Sequence, residues 1–200
     1  MSKLQRIVMI RHGETVGNSS VRFHGSSDPP LSDEGRVQMR RAARQLRREV
    51  FDVVVASPLR RTWEGATLVA GRVPVRLESD FREIHFGRWE GMTAEEIRAS
   101  DPVLYQDWQA KAEGFEFPGG ELRGVFRARV HRGLDRLLQC GAVAALLVIH
   151  KGVIRTIAEK LLEAPSEDGQ PELGGLLALS RGADGRWHPG RRSSDPPGLA

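Results

Sequence analysis

The dipeptide Arg11-His12 follows the short apolar run 6–10 and leads straight into Gly13-Glu14-Thr15. It sets an imidazole, nucleophilic when neutral, beside a permanent positive charge. Phosphoryl transfer uses that pair. A ring nitrogen can attack phosphorus to form a phosphohistidine, and guanidiniums hold the equatorial oxygens over which negative charge spreads. Two further apolar runs end in comparable residues: 52–56 runs into Ser57-Pro58-Leu59-Arg60-Arg61, and 144–149 into His150-Lys151-Gly152. Arg11 and Arg61 are the expected phosphate ligands, and their charges disfavour protonation of His12. His150 adds a donor, and so does Asn18 from the loop after His12. The leaving oxygen needs a proton. Glu83, in Arg82-Glu83-Ile84 just past a fourth apolar segment, is the acid best placed to give it, since the charge of a bound phosphate favours the protonated carboxyl.

The elements that must position these residues can be read from hydrophobic period. Segments 6–10, 52–56 and 144–149 are short, rich in β-branched residues and followed by polar residues, which predicts buried parallel strands. Segments 75–78 and 176–180 are weaker strand candidates. Between them, 33–50 carries Met39, Ala42, Ala43, Leu46 and Val50 on one helical face. Ser32 is its expected N-cap, with Asp33 and Glu34 in the first turn. Segments 59–70, 121–139 and 152–162 read as further helices. The alternation predicts an α/β fold of three layers, a mostly parallel sheet flanked by helices. In such sheets a site forms beyond the carboxyl ends of the strands, and those ends deliver Arg11, His12, Arg61 and His150.

Residues 93–120 break the pattern, with Tyr105, Trp108 and Phe115 among many acids. They are expected to form a small helical insertion, or lid, within one domain spanning 1–190. Ala183-Asp184-Gly185 reads as a turn, and 191–200 as a mobile tail. Trp89 and Trp108 are expected to pack, and His131 and His188 to lie at the surface.

Composition narrows the function classes. The chain has 200 residues, 40% hydrophobic and 28% charged, with a formal net charge of +4. Its single cysteine, Cys140, excludes an intrachain disulfide and a cysteine zinc site, and together with the lack of a signal-peptide pattern it suggests the cytoplasm. No apolar run reaches the ~20 residues of a membrane span. The basic residues are mostly arginine, alternating with acids, and no nucleic-acid recognition motif accompanies them. The expected partner is therefore a small phosphorylated substrate, with neither nucleic acid nor membrane; assembly as a homodimer is left open. Arginines at 11 and 61 would repel a divalent cation, and no His-Glu-x-x-His spacing is present, so neither metal nor other cofactor is expected. A phosphate-binding P-loop and a Gly-x-Ser-x-Gly elbow are also missing.

These residues resemble a known family. Ile10-Arg11-His12-Gly13-Glu14-Thr15 with Asn18 is similar to the opening motif of the histidine phosphatase superfamily, the phosphoglycerate-mutase-like proteins. Four more segments follow in order: Arg22-Phe23-His24-Gly25 with Asp28 and Pro30-Leu31; Ala56-Ser57-Pro58-Leu59-Arg60-Arg61; Arg82-Glu83-Ile84-His85-Phe86-Gly87-Arg88-Trp89-Glu90-Gly91; and Pro118-Gly119-Gly120-Glu121 with Ile149-His150-Lys151-Gly152. The resemblance implies a phosphohistidine at His12, Arg61 rather than Arg60 as the second arginine, Glu83 as the acid and no metal. It points to the phosphatase branch: a metal-independent phosphomonoester hydrolase acting on a small phosphorylated metabolite. A phosphomutase, or a phospho-ligand-binding domain without catalysis, are the alternatives. Substrate contacts are expected from Asn18, Arg22, His24, Gly25, Glu121 and Lys151. Lys151 departs from the family pattern, which most often has glycine there; it could bind a second anionic group or point into solvent. Thr62 and Gly65 also depart, replacing a usual alanine and threonine. Gly65 should cost its helix about 1 kcal/mol relative to alanine.

Overall fold

The structure, a computed structural model, describes residues 2–165 and 171–190. Its strands are β1 (Arg6–Arg11), β2 (Val53–Ala56), β3 (Val75–Leu77), β4 (Ala144–Ile149), β5 (Leu176–Arg181) and β6 (Trp187–Pro189). Its helices are α1 (Asp33–Gln45), α2 (Arg60–Val69), α3 (Ala94–Ser100), α4 (Pro102–Gln109), α5 (Arg123–Gln139) and α6 (Lys151–Leu162). The strands form one sheet in the order β3-β2-β4-β1-β5-β6. The first four in that order are mutually parallel, while β5 pairs antiparallel with β1, and β6 with β5.

The strand sequences explain the layering. Because β1, β2 and β4 are covered on both faces, they read as unbroken Val, Ile, Leu and Ala runs rather than alternating ones. Successive side chains nonetheless point to opposite faces, and two separate cores result. Ile7, Met9, Val55, Leu147 and Ile149 pack with Phe126, Val130 and Leu134 of α5 and Val153, Ile154 and Ile157 of α6. Val8, Ile10, Val54, Leu146 and Val148 pack with Met39 and Ala42 of α1 and Ala66 of α2. The fold is thus the three-layer α/β arrangement expected from the sequence.

Local chemistry sets the element ends. The Ser32 side chain accepts from the Gly35 N–H at 3.1 Å, capping α1. That helix stops at Gln45, five residues before the expected Val50, which is 83% exposed. Arg47, Arg48 and Glu49 interrupt the apolar face after Leu46, leaving nothing for another turn to bury. The sixth strand was not expected. It forms because the turn at 183–185 closes a hairpin, with Gly185 at φ 78° and the Gly182 N–H donating to the Arg186 carbonyl at 2.8 Å. The expected tail, 191–200, lies outside the described residues.

The departures at 62 and 65 serve the α2 start and the α1–α2 contact. Thr62 Oγ1 donates to the Leu59 and Ser57 carbonyls at 2.6 and 2.8 Å. A Cβ at Gly65 would stand 3.0 Å from Met39 Cε, so glycine's helix cost is offset by close packing of α1 on α2. Within 93–120, α3 and α4 surround a third small core in which Trp89, Ile97 and Phe115 are buried against Phe23, Phe86, Trp108 and Phe117. Thr93 and Glu96 make a capping box at the start of α3, and Trp89 Nε1 donates to Asp101 Oδ2 at 2.9 Å.

Candidate active site

The carboxyl ends of β1, β2 and β4 bring His12, Arg61 and His150 together. The His12 and His150 rings meet edge to face, centroids 5.3 Å apart, and His12, Arg61 and His150 are all buried. The bond from His12 Nδ1 to the Gly13 carbonyl, 2.8 Å, decides the tautomer. A carbonyl can only accept, so Nδ1 carries the proton and Nε2 keeps its lone pair. Burial holds the His12 imidazole well below its ordinary range, and Arg61 and Arg11 push it the same way, outweighing the Gly13 hydrogen bond. Both effects favour the neutral ring before any substrate arrives. Burial and then Arg61 depress His150 likewise, and neither of its ring nitrogens has a hydrogen-bond partner among the described residues.

Arg61 is fixed by the loop that precedes α1. Its Nη1 donates to the Ser27 carbonyl at 2.6 Å, and its Nη2 to the Gly25 and His24 carbonyls at 2.8 and 3.0 Å. Burial lowers its pKa to about 10, still well above neutrality, so it stays a cation. The loop is held in turn by Glu90, whose carboxylate accepts from the backbone N–H groups of Gly25, Ser26 and Phe86 at 3.2, 2.9 and 3.0 Å. The Nε groups of Arg11 and Arg61 are buried without partners among the described residues. Charged donors left in that condition have a strong preference for an anion.

Glu83 closes the constellation. Its carboxyl is buried; Oε1 accepts from the Ile84 N–H at 3.1 Å and Oε2 from the Gly152 N–H at 3.0 Å. Residue 152 has to be glycine for this, because a Cβ there would stand 2.5 Å from Glu83 Oε1. Arg11, His12, Glu83, Lys151 and Gly152 share the lining of one cavity of about 600 Å³.

The expected substrate contacts divide. Lys151 lines the cavity from the first turn of α6. Arg22 and His24 line it too, yet their polar atoms are engaged elsewhere. Arg22 Nη1 donates to the Gly91 carbonyl at 2.6 Å and to Glu96 at 3.0 Å, tying its loop to α3. His24 Nε2 donates to the Gly17 carbonyl at 2.5 Å and Nδ1 faces the Ser27 hydroxyl at 3.0 Å. Gly25 contributes its carbonyl to Arg61. Asn18 is exposed and sits at φ 58°, its N–H closing a turn onto the Thr15 carbonyl at 3.0 Å. Glu121 accepts from Arg129 Nε and Nη2 at 2.7 and 2.8 Å.

That last pairing exposes a residue sequence reasoning missed. Arg129 on α5 also donates to the carbonyls of Asp80, Arg82 and Glu83 at 2.8, 2.6 and 3.0 Å. One guanidinium therefore pins the backbone that presents Glu83, with Glu121 orienting the guanidinium. The only signal in the sequence is an acid eight residues before an arginine, too common to single out. Arg129→Ala is expected to lower kcat on an alkyl phosphate on the order of 10²-fold through misplacement of Glu83. On p-nitrophenyl phosphate, whose leaving group needs no proton, the first step should be nearly unaffected, so a burst of nitrophenolate should precede the slowed turnover. Equal losses on both substrates without a burst would assign Arg129 a merely structural role. Arg129→Lys should recover only part of the rate, since an ammonium cannot span four partners as the planar fork does.

A sheet that gathers a neutral imidazole, two guanidiniums and a carboxyl at the ends of its parallel strands defines a class of α/β proteins suited to receiving a phosphoryl group. Residues 7–181 match the sequence model of the histidine phosphatase superfamily, branch 1, and the chain belongs to that family. It is 35% identical over 184 residues to the glucosyl-3-phosphoglycerate phosphatase of Mycolicibacterium vanbaalenii, covering 87% of this chain and 81% of the relative. Among solved structures, a mycobacterial glucosyl-3-phosphoglycerate phosphatase complexed with VO3 superposes with a TM-score of 0.81 at 31% identity, covering 92% of this chain and 97% of the other. The α-ribazole phosphatase of Shigella flexneri gives 0.82 at 26% identity, covering 98% and 99%.

Proposed function

We propose that the protein is a metal-independent phosphomonoester hydrolase that works through a phosphohistidine at His12 on a small phosphorylated metabolite. The observation that carries this reading is the His12 tautomer: the Gly13 carbonyl takes the Nδ1 proton and leaves Nε2 as the lone-pair nitrogen in a buried, cationic setting. Relatives named as phosphatases support it.

In the first step His12 Nε2 attacks phosphorus, and the P–O bond to the leaving group breaks. Arg11 and Arg61 hold the equatorial oxygens with charge-assisted bonds, His150 adds a donor, and Glu83 gives its proton to the departing oxygen. In the second step a water attacks the phosphohistidine. Glu83, now ionised, takes the water's proton, and phosphate leaves His12 as the original neutral ring. The proton balance closes within the cycle without a metal. Residues 93–120 act in this reading as a lid over the cavity, to which Trp108 and Phe115 contribute rings. A cytoplasmic setting suits the exposed free thiol of Cys140. No helix among the described residues is long and apolar enough to cross a membrane.

Purified protein held in excess EDTA is expected to release inorganic phosphate from p-nitrophenyl phosphate at an undiminished rate, and from 3-phosphoglycerate without forming its 2-phospho isomer. Loss of activity to the chelator would overturn the metal-free mechanism. Isomer formation would identify a mutase, and phosphate binding without turnover a non-catalytic domain.

A further inference from the structure

The cavity is far larger than one phosphoryl group needs, and its remaining walls have a distinct chemistry. Phe23, Phe86, Trp108, Phe115, Phe117 and Phe126 supply rings. Among the described residues, seven lysine and arginine side chains line it against two carboxylates, Glu83 and Glu159. Glu83 offsets part of the positive charge at the start of α6, where it accepts the Gly152 N–H, but its other oxygen is taken by the Ile84 N–H; Glu159 meets Arg155 at 3.9 Å with both side chains partly exposed, where such a pair holds weakly.

Lys151 and Arg155 stand one turn apart on α6, hence on the same face, and both border the cavity. Arg11, whose charge also bears on Lys151, belongs to the transferring phosphoryl group. Burial, with Arg11 and Arg155 as like charges, pushes the Lys151 ammonium down, against a pull from Glu83. The positive end of the α6 dipole adds to the same field, less the share that Glu83 takes through the Gly152 N–H. Two cations held close together beside a reaction site, with ring surfaces in the same cavity, fit an anion carried by the substrate itself.

We propose that Lys151 and Arg155 form a second anion site, and that the preferred substrates are phosphomonoesters whose leaving group bears its own negative group on an apolar or ring-shaped body. This inference rests on the phosphomonoesterase reading and fixes its substrate class. The second negative group can be a carboxylate or another phosphate, and the test has an arm for each.

The experiment compares kcat/KM for phenyl phosphate, 3-carboxyphenyl phosphate and 1,3-phenylene bisphosphate, in wild type and in Lys151→Met, Arg155→Met and Lys151→Arg. Wild type is expected to favour at least one anionic compound over phenyl phosphate by about tenfold, mostly through KM. Either methionine variant should erase most of that ratio, and Lys151→Arg should keep it. Whichever anionic compound shows the ratio names the group recognised. Hydrolysis of phenyl phosphate with no preference for either anionic compound overturns the inference and leaves the phosphomonoesterase reading standing. Equal losses on all three substrates in Lys151→Met would place Lys151 on the transferring phosphoryl group and also overturn it. Hydrolysis of none of the three by wild type would fail both.

Discussion

His12→Ala is expected to lose at least about four orders of magnitude in kcat, the scale seen when a covalent nucleophile is removed. Nothing else in the cavity can replace it. His150 is equally buried but is committed in this reading to an equatorial oxygen, and the Glu83 oxygens are tied to the Ile84 and Gly152 amides. The substitution removes a ring whose one described hydrogen bond runs to its own neighbour, Gly13, so the fold should survive and circular dichroism should match wild type. Acid-quenched wild type incubated with labelled substrate should carry phosphate in an alkali-stable, acid-labile form, and His12→Ala none. The same geometry makes a pH statement. A free imidazole protonates near pH 6.5; burial and Arg61 hold His12 below that. Nitrogen NMR of the unliganded protein at pH 6 should therefore show His12 neutral, protonated at Nδ1. A fully active His12→Ala protein would end the phosphohistidine mechanism, and a charged ring at pH 6 would remove the electrostatic argument for it.

Glu83→Gln is expected to cost about 10²- to 10⁴-fold on alkyl phosphates, the span of general acid catalysis. The amide is nearly isosteric, but its NH2 cannot accept both backbone N–H bonds that the carboxylate takes, and it has no acidic proton to give. With p-nitrophenyl phosphate the first step needs no proton, so the defect shifts to the second step, where the ionised carboxylate should activate water. Rapid mixing should then show a burst of about one nitrophenolate per protein followed by slow turnover. A uniform loss on both substrates without a burst would mean that Glu83 supports the site sterically. Its dependence on Gly152 makes the two residues one unit: the glycine lets the carboxyl approach the start of α6 and also donates the N–H that holds it.

Parts of this site were legible before any coordinates because they depend on local pattern. Strands that are buried on both faces must be short runs of branched apolar residues, and the first polar residues after them must emerge at the sheet's rim. Arg11, His12 and His150 follow from that rule alone, which also leads to the pair Arg60-Arg61; choosing Arg61 of the two took the resemblance to the family. Helix ends were less legible. The apolar face of 33–50 extends on paper to Val50, yet a helix lasts only while its stripe has something to cover, and α1 ends where Arg47 and Arg48 would turn it back to solvent. The three-residue β6 is too short for period to reveal, and it depends on pairing with β5.

The sequence by itself determined the α/β class, the order of the elements and which residues the strand ends would deliver, because each is a matter of neighbours within a few positions. Only the tertiary structure decided what holds those residues in place. Arg129 grips the backbone of Glu83 from 46 residues away, Glu90 steadies the loop whose carbonyls fix Arg61, and Arg22, at the cavity wall, and Glu121 spend their charged groups on ion partners. Lys151, which its motif alone left pointing either way, lines the cavity wall. Guanidiniums and carboxylates have long side chains and many possible partners, so their choices are settled by which backbone groups packing brings within about 3 Å, and local pattern carries no record of that.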